Sequence, residues 1–481
     1  MERTGTGSGF WEAALLALAS ICAATVICMA MDAGKPVYAA IVAIIPAAIL
    51  TVMMGFEYKH VAYWLLFSVN YFIPLVGRYW LDAPIGIIMD VMIAFNLLVI
   101  LCHMMSHDVS FSRITWDALA VTSVWLVYCI LECFNPRMLS IHVWFTHIRN
   151  MGLYFFIIIL ITQISIESFD SARKLIAIWS VLTLIAVGKA LIQKYVGFDA
   201  AEKYFLYVMD GQRTHLLHTG TRYFSIFTDA SNFGAQMGVA SVVFACMGIN
   251  SKGALRWYYW IVAAIAIYGL LISGTRSALA VPFLGFAAYI VLCGNIRQAL
   301  PVAALLGAVF IFLAYTDIGQ GNAVIRRARS AFDHSDESYQ VRLENREKLK
   351  PLMAKLPFGN SLGMSAGRGK KYGDTSEIAE IPTDSWFVQL WVETGIVGLA
   401  LYLAMMAYLL CRGGWLVMFR VHDKEIKGIC AGLLAGVAGL FAMSTNNEVF
   451  SQYPNSIIAY TSVAIVFMGP YFSNQKAKDN D

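Results

Sequence analysis

Charge is scarce in this chain. Asp, Glu, Lys and Arg make up 14% of its 481 residues, where a soluble domain carries about 25%. Other absences narrow the function further. No Cys-x-x-Cys occurs, and the nine cysteines (Cys22, Cys28, Cys102, Cys129, Cys133, Cys246, Cys293, Cys411, Cys430) fall in apolar runs or at their ends. They read as small buried apolar residues, which argues against a disulfide or metal framework. His215, His218 and His334 are scattered through polar loops without metal-ligand spacing and read as solvated; His103 and His107 share a helix face at a membrane end. No metal site is expected. The polar loops that lie together on one side carry no Asp-x-Asp, and the chain has no phosphate-binding Gly-x-x-x-x-Gly-Lys-Ser/Thr. That argues against a metal-dependent nucleotide-sugar transferase and against an ATPase. A net charge of +4 with no basic tail gives no reason to expect nucleic acid. No internal repeat is visible, as a transporter built from inverted halves would show.

What is abundant is apolar sequence, 59% of the chain. About fourteen runs have the ~20-residue length of a membrane-spanning helix: 10–31, 36–55, 60–77, 84–105, 115–133, 149–166, 172–193, 226–249, 256–273, 276–293, 298–315, 386–411, 426–444 and 455–472. The expected fold is an all-α polytopic membrane protein of 12–14 transmembrane helices. Runs 256–273 and 276–293 leave room only for a tight helical hairpin. Lys59, Arg113, Arg173, Lys174, Lys252, Arg256, Arg297, Arg412, Arg420, Lys424, Lys427, Lys476 and Lys478 fall in alternate loops. The positive-inside rule then puts both termini in the cytoplasm and the loops 134–148, 194–225, 316–385 and 445–454 on the extracytoplasmic face.

The exception to the apolar pattern is a charged island. It divides the chain into an N-terminal bundle, 1–315, a large extracytoplasmic loop, 316–385, and C-terminal helices, 386–481. Long loops without a task are uncommon. Within the loop, 337–356 has a rough helical period interrupted at Pro351, so one or two short helices are expected over a membrane-facing cavity. Residues 367–373 are basic and Gly-rich and read as mobile.

Arginine on the outer face runs against the positive-inside bias, so each one asks for a reason. Arg222 stands in Thr-Arg-Tyr-Phe-Ser-Ile-Phe, Arg276 in Ser-Gly-Thr-Arg-Ser-Ala, and Arg342 opens the loop helix with Arg346 one turn on. A guanidinium offers five donors in a planar fork and keeps its charge, which suits a diphosphate. A side chain snorkelling to lipid headgroups is the bland alternative. Arg137, Arg149 and Arg213 are read first that way, with Arg213 kept among the substrate-binding candidates. Asp384 precedes an apolar helix that carries Gln389 and Glu393. It can be the helix N-cap or a general base that takes a proton from a sugar hydroxyl. Glu393 lies inside the bilayer, where a carboxylate needs a partner. Asn446-Asn447-Glu448 can bind sugar hydroxyls or cap a helix.

Four elements in this order resemble the O-antigen polymerase/ligase superfamily of bacterial membrane glycosyltransferases: Arg222-Tyr-Phe-Ser-Ile-Phe with Asn232-Phe-Gly; Ser273-Gly-Thr-Arg276-Ser-Ala; Arg342 followed by Pro357-Phe-Gly-Asn-Ser-Leu-Gly; and Asp384-Ser-Trp-Phe-Val-Gln-Leu-Trp-Val-Glu-Thr-Gly. The resemblance covers roughly residues 195–411. It implies a GT-C-like enzyme of the bacterial inner membrane with its active face in the periplasm. The donor would be a glycan on undecaprenyl diphosphate and the acceptor a glycan or glycolipid. Membrane lipids and a chain-length regulator would be its partners. The transfer would invert the anomeric centre and need no cofactor. Asp384, Arg276 and Arg222 become the catalytic candidates, and Arg342, Arg346, Arg213, Glu393 and Gln389 the substrate-binding ones. Ligases of that superfamily usually show His-Asn where this chain has Asp384-Ser385, which favours polymerisation of repeat units over transfer of finished glycan to lipid A core. A lipid-linked glycan transporter is the remaining alternative.

Overall fold

A computed structural model describes residues 49–80, 85–106, 109–217, 220–321, 323–329 and 337–480. The expected span 10–31 and most of 36–55, with Cys22, Cys28, His107, His218 and His334, lie outside the described residues. The chain is an all-α polytopic membrane protein. Among the described residues, ten helices are long and apolar enough to cross a bilayer. We number the helices in chain order. α1 is Lys59–Tyr79, α2 Ile85–Met105, α3 Trp116–Leu131, α4 Ile141–Ser165 and α5 Phe169–Tyr195. Two short helices, α6 (Ala200–Tyr207) and α7 (Gln212–His215), precede α8 (Ala230–Asn250) and α9 (Gly253–Ser273). Shorter apolar helices follow at α10 (Arg276–Leu292) and α11 (Ile296–Tyr315). The large loop holds α12 (Ala323–Arg329), α13 (Glu337–Met353) and α14 (Ala366–Lys371). The last three are α15 (Trp386–Phe419), α16 (Lys424–Met443) and α17 (Asn455–Asn480).

The expected spans from residue 60 onward are all present as helices; α9 and α10 are joined by the short turn Gly274–Thr275 but do not pair as the expected tight hairpin, since each packs on α8 instead. Three boundaries move by eight residues, the last being the end of α17, which runs to Asn480 instead of 472. α4 begins at Ile141, eight residues ahead of the expected 149, and passes through a π-helical turn at Arg149–Leu153. α15 runs on to Phe419 and is broken at Gly395 (φ 67°).

The core is built by α8, α16 and α17, buried over 94%, 78% and 89% of their apolar windows, whereas α2 is 28% buried and faces outward. Small residues explain this. A Cβ on Gly238 would stand 2.8 Å from the Val281 side chain, and one on Gly439 2.3 Å from the Val281 carbonyl oxygen. Without aqueous drive between apolar helices, such close backbone approach is what holds them together. Inside the spans, Asp90 pairs with Arg149 and accepts from the Tyr154 hydroxyl. All seven described cysteines are free.

The helices alternate in direction, so the segments 196–229, 274–275, 316–385 and 444–454 gather at one end. The loop there is more ordered than its composition suggests. α13 continues through Pro351 and ends two residues later, because a proline in the last turn forfeits only one helical hydrogen bond. Leu349 and Met353 pack with Ile378, Val388 and Val392, which ties α13 to α15. The basic stretch expected to be mobile instead forms α14 and a turn, with Asp374 N–H donating to Gly369 O at 2.9 Å.

Candidate functional site

At that end a polar cavity of about 470 Å³ is lined by Arg222, Arg342, Asp229, Asp384 and Glu448, together with His215, Thr383 and Gln452. Its first wall is the 196–229 segment, which is heavily pinned. Asp199 and Glu202 form a capping box at the start of α6. Gln193 exchanges two hydrogen bonds with the Ser225 backbone, 3.1 and 2.8 Å long. Arg78, which the sequence reading overlooked, donates to the carbonyls of Ser225, Phe227 and Thr228 at 3.1, 2.6 and 2.9 Å. Its guanidinium also stacks 4.2 Å above the Phe224 ring. A two-residue-per-strand hairpin pairs Leu216 with Thr221, and Arg222 emerges from it.

Arg222 then reaches the second motif. It donates to Thr214 O at 3.0 Å, Ser231 Oγ at 3.1 Å and Thr275 Oγ1 at 2.8 Å. Its Nε is buried without a partner. The intervening Gly274 is left-handed (φ 59°), and a Cβ there would lie 3.2 Å from both Arg222 Cγ and Arg327 Nε. Glycine is what lets two arginines share this turn. Arg327 donates to Gly274 O at 2.6 Å and, with Arg276, lines a small adjoining cleft. Gly234 serves the same contact from α8, since a Cβ there would meet Ser273 Oγ at 2.5 Å. The Arg222 and Ser-Gly-Thr-Arg motifs are therefore two halves of one structure.

The result is a crowd of positive charge. Burial, and the charges of Arg327, Arg276 and Arg342, pull Arg222 down to about 10 against partial support from Asp229. It is still a cation at neutral pH. An anion bound here would offset the repulsion that Arg222 meets from its neighbours. Arg327 was also missed in the sequence. Its signal was only that 323–329 is Arg-rich.

The facing wall is the Thr383-Asp384-Ser385 strap. Thr383 donates to Glu448 Oε1 at 2.6 Å, and Ser385 Oγ to Ser444 O at 3.2 Å. Both neighbours are buried while Asp384 is exposed, with a left-handed backbone (φ 50°). The N-cap of α15 is Ser385, so the capping role considered for Asp384 is not the one it has. One long bond from Asn345 (3.4 Å) reaches its carboxylate. A non-glycine residue held left-handed costs about 1 kcal/mol, and here the strain presents a carboxylate to the cavity.

Glu448 lies beside it. Burial pushes its carboxyl above the usual range, against the opposing pull of Arg368, whose guanidinium is 3.6 Å away. Asp229 is engaged otherwise: it caps α8 through Ser231 and Asn232 N–H at 2.7 and 2.9 Å. His215 corrects the reading as a solvated loop residue. It is 2% exposed, its Nδ1 lies 2.9 Å from Gly211 O, and its Nε2 accepts from Ala230 N–H at 3.3 Å. An Nδ1–H tautomer satisfies both, and desolvation lowers its pKa, so it is a neutral structural group.

The remaining candidates fall elsewhere. Arg346 donates to Thr445 O at 3.0 Å, beside the Glu448 loop. Arg213 is exposed and paired with Asp210 at 2.7 Å. Gln389 and Glu393 do not line the cavity. Glu393 is fully buried and accepts from Gly363 N–H (2.9 Å), Gln389 (3.1 Å) and the Ser365 hydroxyl, with Arg368 at 3.8 Å. It anchors the Pro357–Gly363 loop to α15. The break at Gly395 frees Val392 O to accept Asn360 N–H at 2.7 Å, and Pro357 O accepts Val397 N–H at 3.2 Å. That loop's Gly359-Asn-Ser-Leu-Gly363 has the letters of a hydrolase nucleophile elbow. Ser361, however, is fully buried, follows no strand, and has an unpartnered hydroxyl. Among the described residues no group of three His, Cys, Asp or Glu could hold a metal ion.

Residues 261–403, from within α9 to within α15, match the family model described as O-antigen ligase. The chain is also 29% identical to an O-antigen polymerase of Salmonella muenchen over 191 residues, 38% of this chain and 45% of that relative. It thus spans less than half of the relative's length. Both comparisons point to the O-antigen polymerase/ligase superfamily that the four motifs resemble. The matched family segment contains Arg276, Arg342 and Asp384, and Arg222 lies ahead of it.

Proposed function

We propose that this relative of O-antigen ligases and polymerases is a membrane glycosyltransferase that takes a glycan from a polyprenyl diphosphate and polymerises repeat units. The observation that carries the reading is the cavity itself, in which clustered arginines face an exposed, strained carboxylate. An acceptor hydroxyl attacks the anomeric carbon from the side opposite the diphosphate. The new C–O bond forms as the bond to the diphosphate oxygen breaks, and the electron pair leaves on that oxygen. Asp384 accepts the hydroxyl proton. Arg222 and Arg342 at the cavity, with Arg276 in the adjoining cleft, hold the charge that builds on the leaving group, the electrostatic contribution that usually dominates such catalysis. In-line displacement inverts the anomeric centre and requires no metal. The Lys/Arg bias of the loops supports an extracytoplasmic cavity, and the likeness to O-antigen enzymes supports a bacterial inner membrane with that face in the periplasm.

Transfer of finished glycan to another acceptor is the second reading, favoured by the likeness of residues 261–403 to the O-antigen ligase family model. The lipid-linked glycan pool of a deletion strain separates the two. Single repeat units stalled on the carrier, with no long chains, are the outcome for a polymerase. Long chains that accumulate on the carrier and never reach a final acceptor would make it a ligase.

A further inference from the structure

A cavity of about 510 Å³ lies at the end of the bundle opposite the arginines. The end of α8, the α10–α11 turn, the end of α15 and the first turn of α16 surround it. Asn250, Tyr289, Asn295, His422, Lys424 and Lys427 supply its polar lining, and no Asp or Glu of the described residues joins them. The acids beside these lysines in the chain are engaged elsewhere. Asp423 accepts from the N–H groups of Glu425 and Ile426 at 2.9 and 3.0 Å and pairs with Lys476 at 3.0 Å. Glu425 pairs with Lys476 and Arg173 at 3.1 and 3.5 Å. Among the described residues neither Lys424 nor Lys427 pairs with a carboxylate. Lys427 is half-buried, and its ammonium rests against the Gly294 turn, donating once, to Met418 O at 3.1 Å. An ammonium carries three donors, so an anion in the cavity would find two of them available, with Lys424 as a second charge. Apolar surface adjoins this polar lining. Ile296, which also lines the cavity, is 74% exposed, and Phe419, next to the lining Met418, is 58% exposed. Apolar side chains exposed at span ends face acyl chains, so the cavity sits where a lipid headgroup meets its tails.

We propose that this cavity holds the phosphate headgroup of an anionic phospholipid, paired with Lys427 and Lys424. Basic pockets between spanning helices suit such headgroups, and Asn295 and His422 add donors from the rim. Free inorganic phosphate shares the chemistry, and the exposed apolar flank is what favours the lipid. The site is separate from the arginine cavity and does not rest on the transfer reaction.

The test uses the full chain and two probes. In the lipid arm, the protein is reconstituted in phosphatidylcholine nanodiscs with a graded fraction of phosphatidylglycerol, and retained lipid is counted by native mass spectrometry. We expect saturable retention of phosphatidylglycerol over phosphatidylcholine. Lys427→Gln should weaken it by about tenfold or more, as for loss of a charge-assisted bond. Lys424→Gln should weaken it by about fivefold, the scale of one basic group at an anionic surface. Lys427→Arg keeps the charge and should keep the binding, which separates a lost site from a folding defect. Lys174→Gln removes an exposed lysine of the same end, paired with Asp170 at 2.7 Å, and should change nothing. In the free-anion arm, the melting temperature in detergent is titrated with inorganic phosphate against chloride at matched ionic strength. Stabilisation there without a preference for phosphatidylglycerol in the nanodiscs overturns the lipid assignment. Equal retention by wild type, Lys427→Gln and Lys424→Gln overturns the site, as does an equal loss in Lys174→Gln, the mark of diffuse attraction to a basic surface.

Discussion

Asp384 and Glu393 stand nine residues apart, yet their surroundings are opposite. Glu393 is fully buried, and four partners surround its carboxylate. Asp384 is exposed, strained in its backbone and reached by one long hydrogen bond. The joint between the Pro357–Gly363 loop and α15 is a finished structure, with its polar groups spent on one another. The cavity rim is less complete, with the Arg222 Nε unpartnered on one wall and the Asp384 carboxylate exposed on another. A buried polar network that is complete gives rigidity; an incomplete one at a solvent-filled cavity is where a substrate supplies the missing partners. Arg368 bridges the two regions, 3.8 Å from Glu393 and 3.6 Å from Glu448, so the rigid joint also helps hold the cavity's second carboxylate.

Substitutions should separate the two regions. The largest loss of activity is expected at the rim. Arg276→Ala should lower product by about a hundredfold or more, the scale of removing a transition-state charge partner, with membrane protein level unchanged. Asp384→Asn should do the same at the scale of a lost general base, about 10²–10⁴-fold, while Ser385→Ala, whose hydroxyl only ties the strap to Ser444, should cost little. Equal effects at Asp384 and Ser385 would reduce the strap to architecture. At the joint the damage should appear first as instability. A Cβ on Gly395 would fall 2.0 Å from Pro357 O at a positive φ, so Gly395→Ala should destabilise by about 3 kcal/mol or more and empty the membrane of folded protein, read by fluorescence-detected size exclusion.

The smallest effect is a pH-dependent one at Glu448. Its folded carboxyl is raised by burial. The folded state therefore holds that proton more tightly than the unfolded chain. The associated stability is present below the unfolded carboxylate pKa and is lost as pH rises through the folded value. Glu448→Gln should then raise the melting temperature by about a degree at pH 8 and leave it unchanged near pH 4.

The helices were legible because a bilayer leaves few alternatives: every described span from residue 60 onward was visible as an apolar run. Arg222 and Arg276 were legible as arginines at outer span ends, where the positive-inside bias disfavours them, and Asp384 as a polar residue before an apolar helix; Arg222 and Asp384 line the cavity and Arg276 the adjoining cleft. Arg327 and Arg78 were not, since their importance comes from long-range packing, through Gly274 and through the 225–228 carbonyls. Gln389 and Glu393 looked like ligand groups because a carboxylate inside a membrane demands a partner. The partner proved to be a loop of the same chain, recruited by the break at Gly395, and no spacing rule announces such a fold-back. His215 failed in the other direction: a loop position suggested solvent, but the hairpin closed over it.

The central claim is that the arginine cavity performs the transfer, and the release of free polyprenyl diphosphate tests it most directly. Purified protein in nanodiscs would be given undecaprenyl-diphosphate-linked repeat units, and the freed carrier measured for wild type, Arg276→Ala and Asp384→Asn. The account predicts release by wild type with concomitant chain growth, and release lowered by about a hundredfold or more in both folded variants. Wild-type rates in either variant would contradict it.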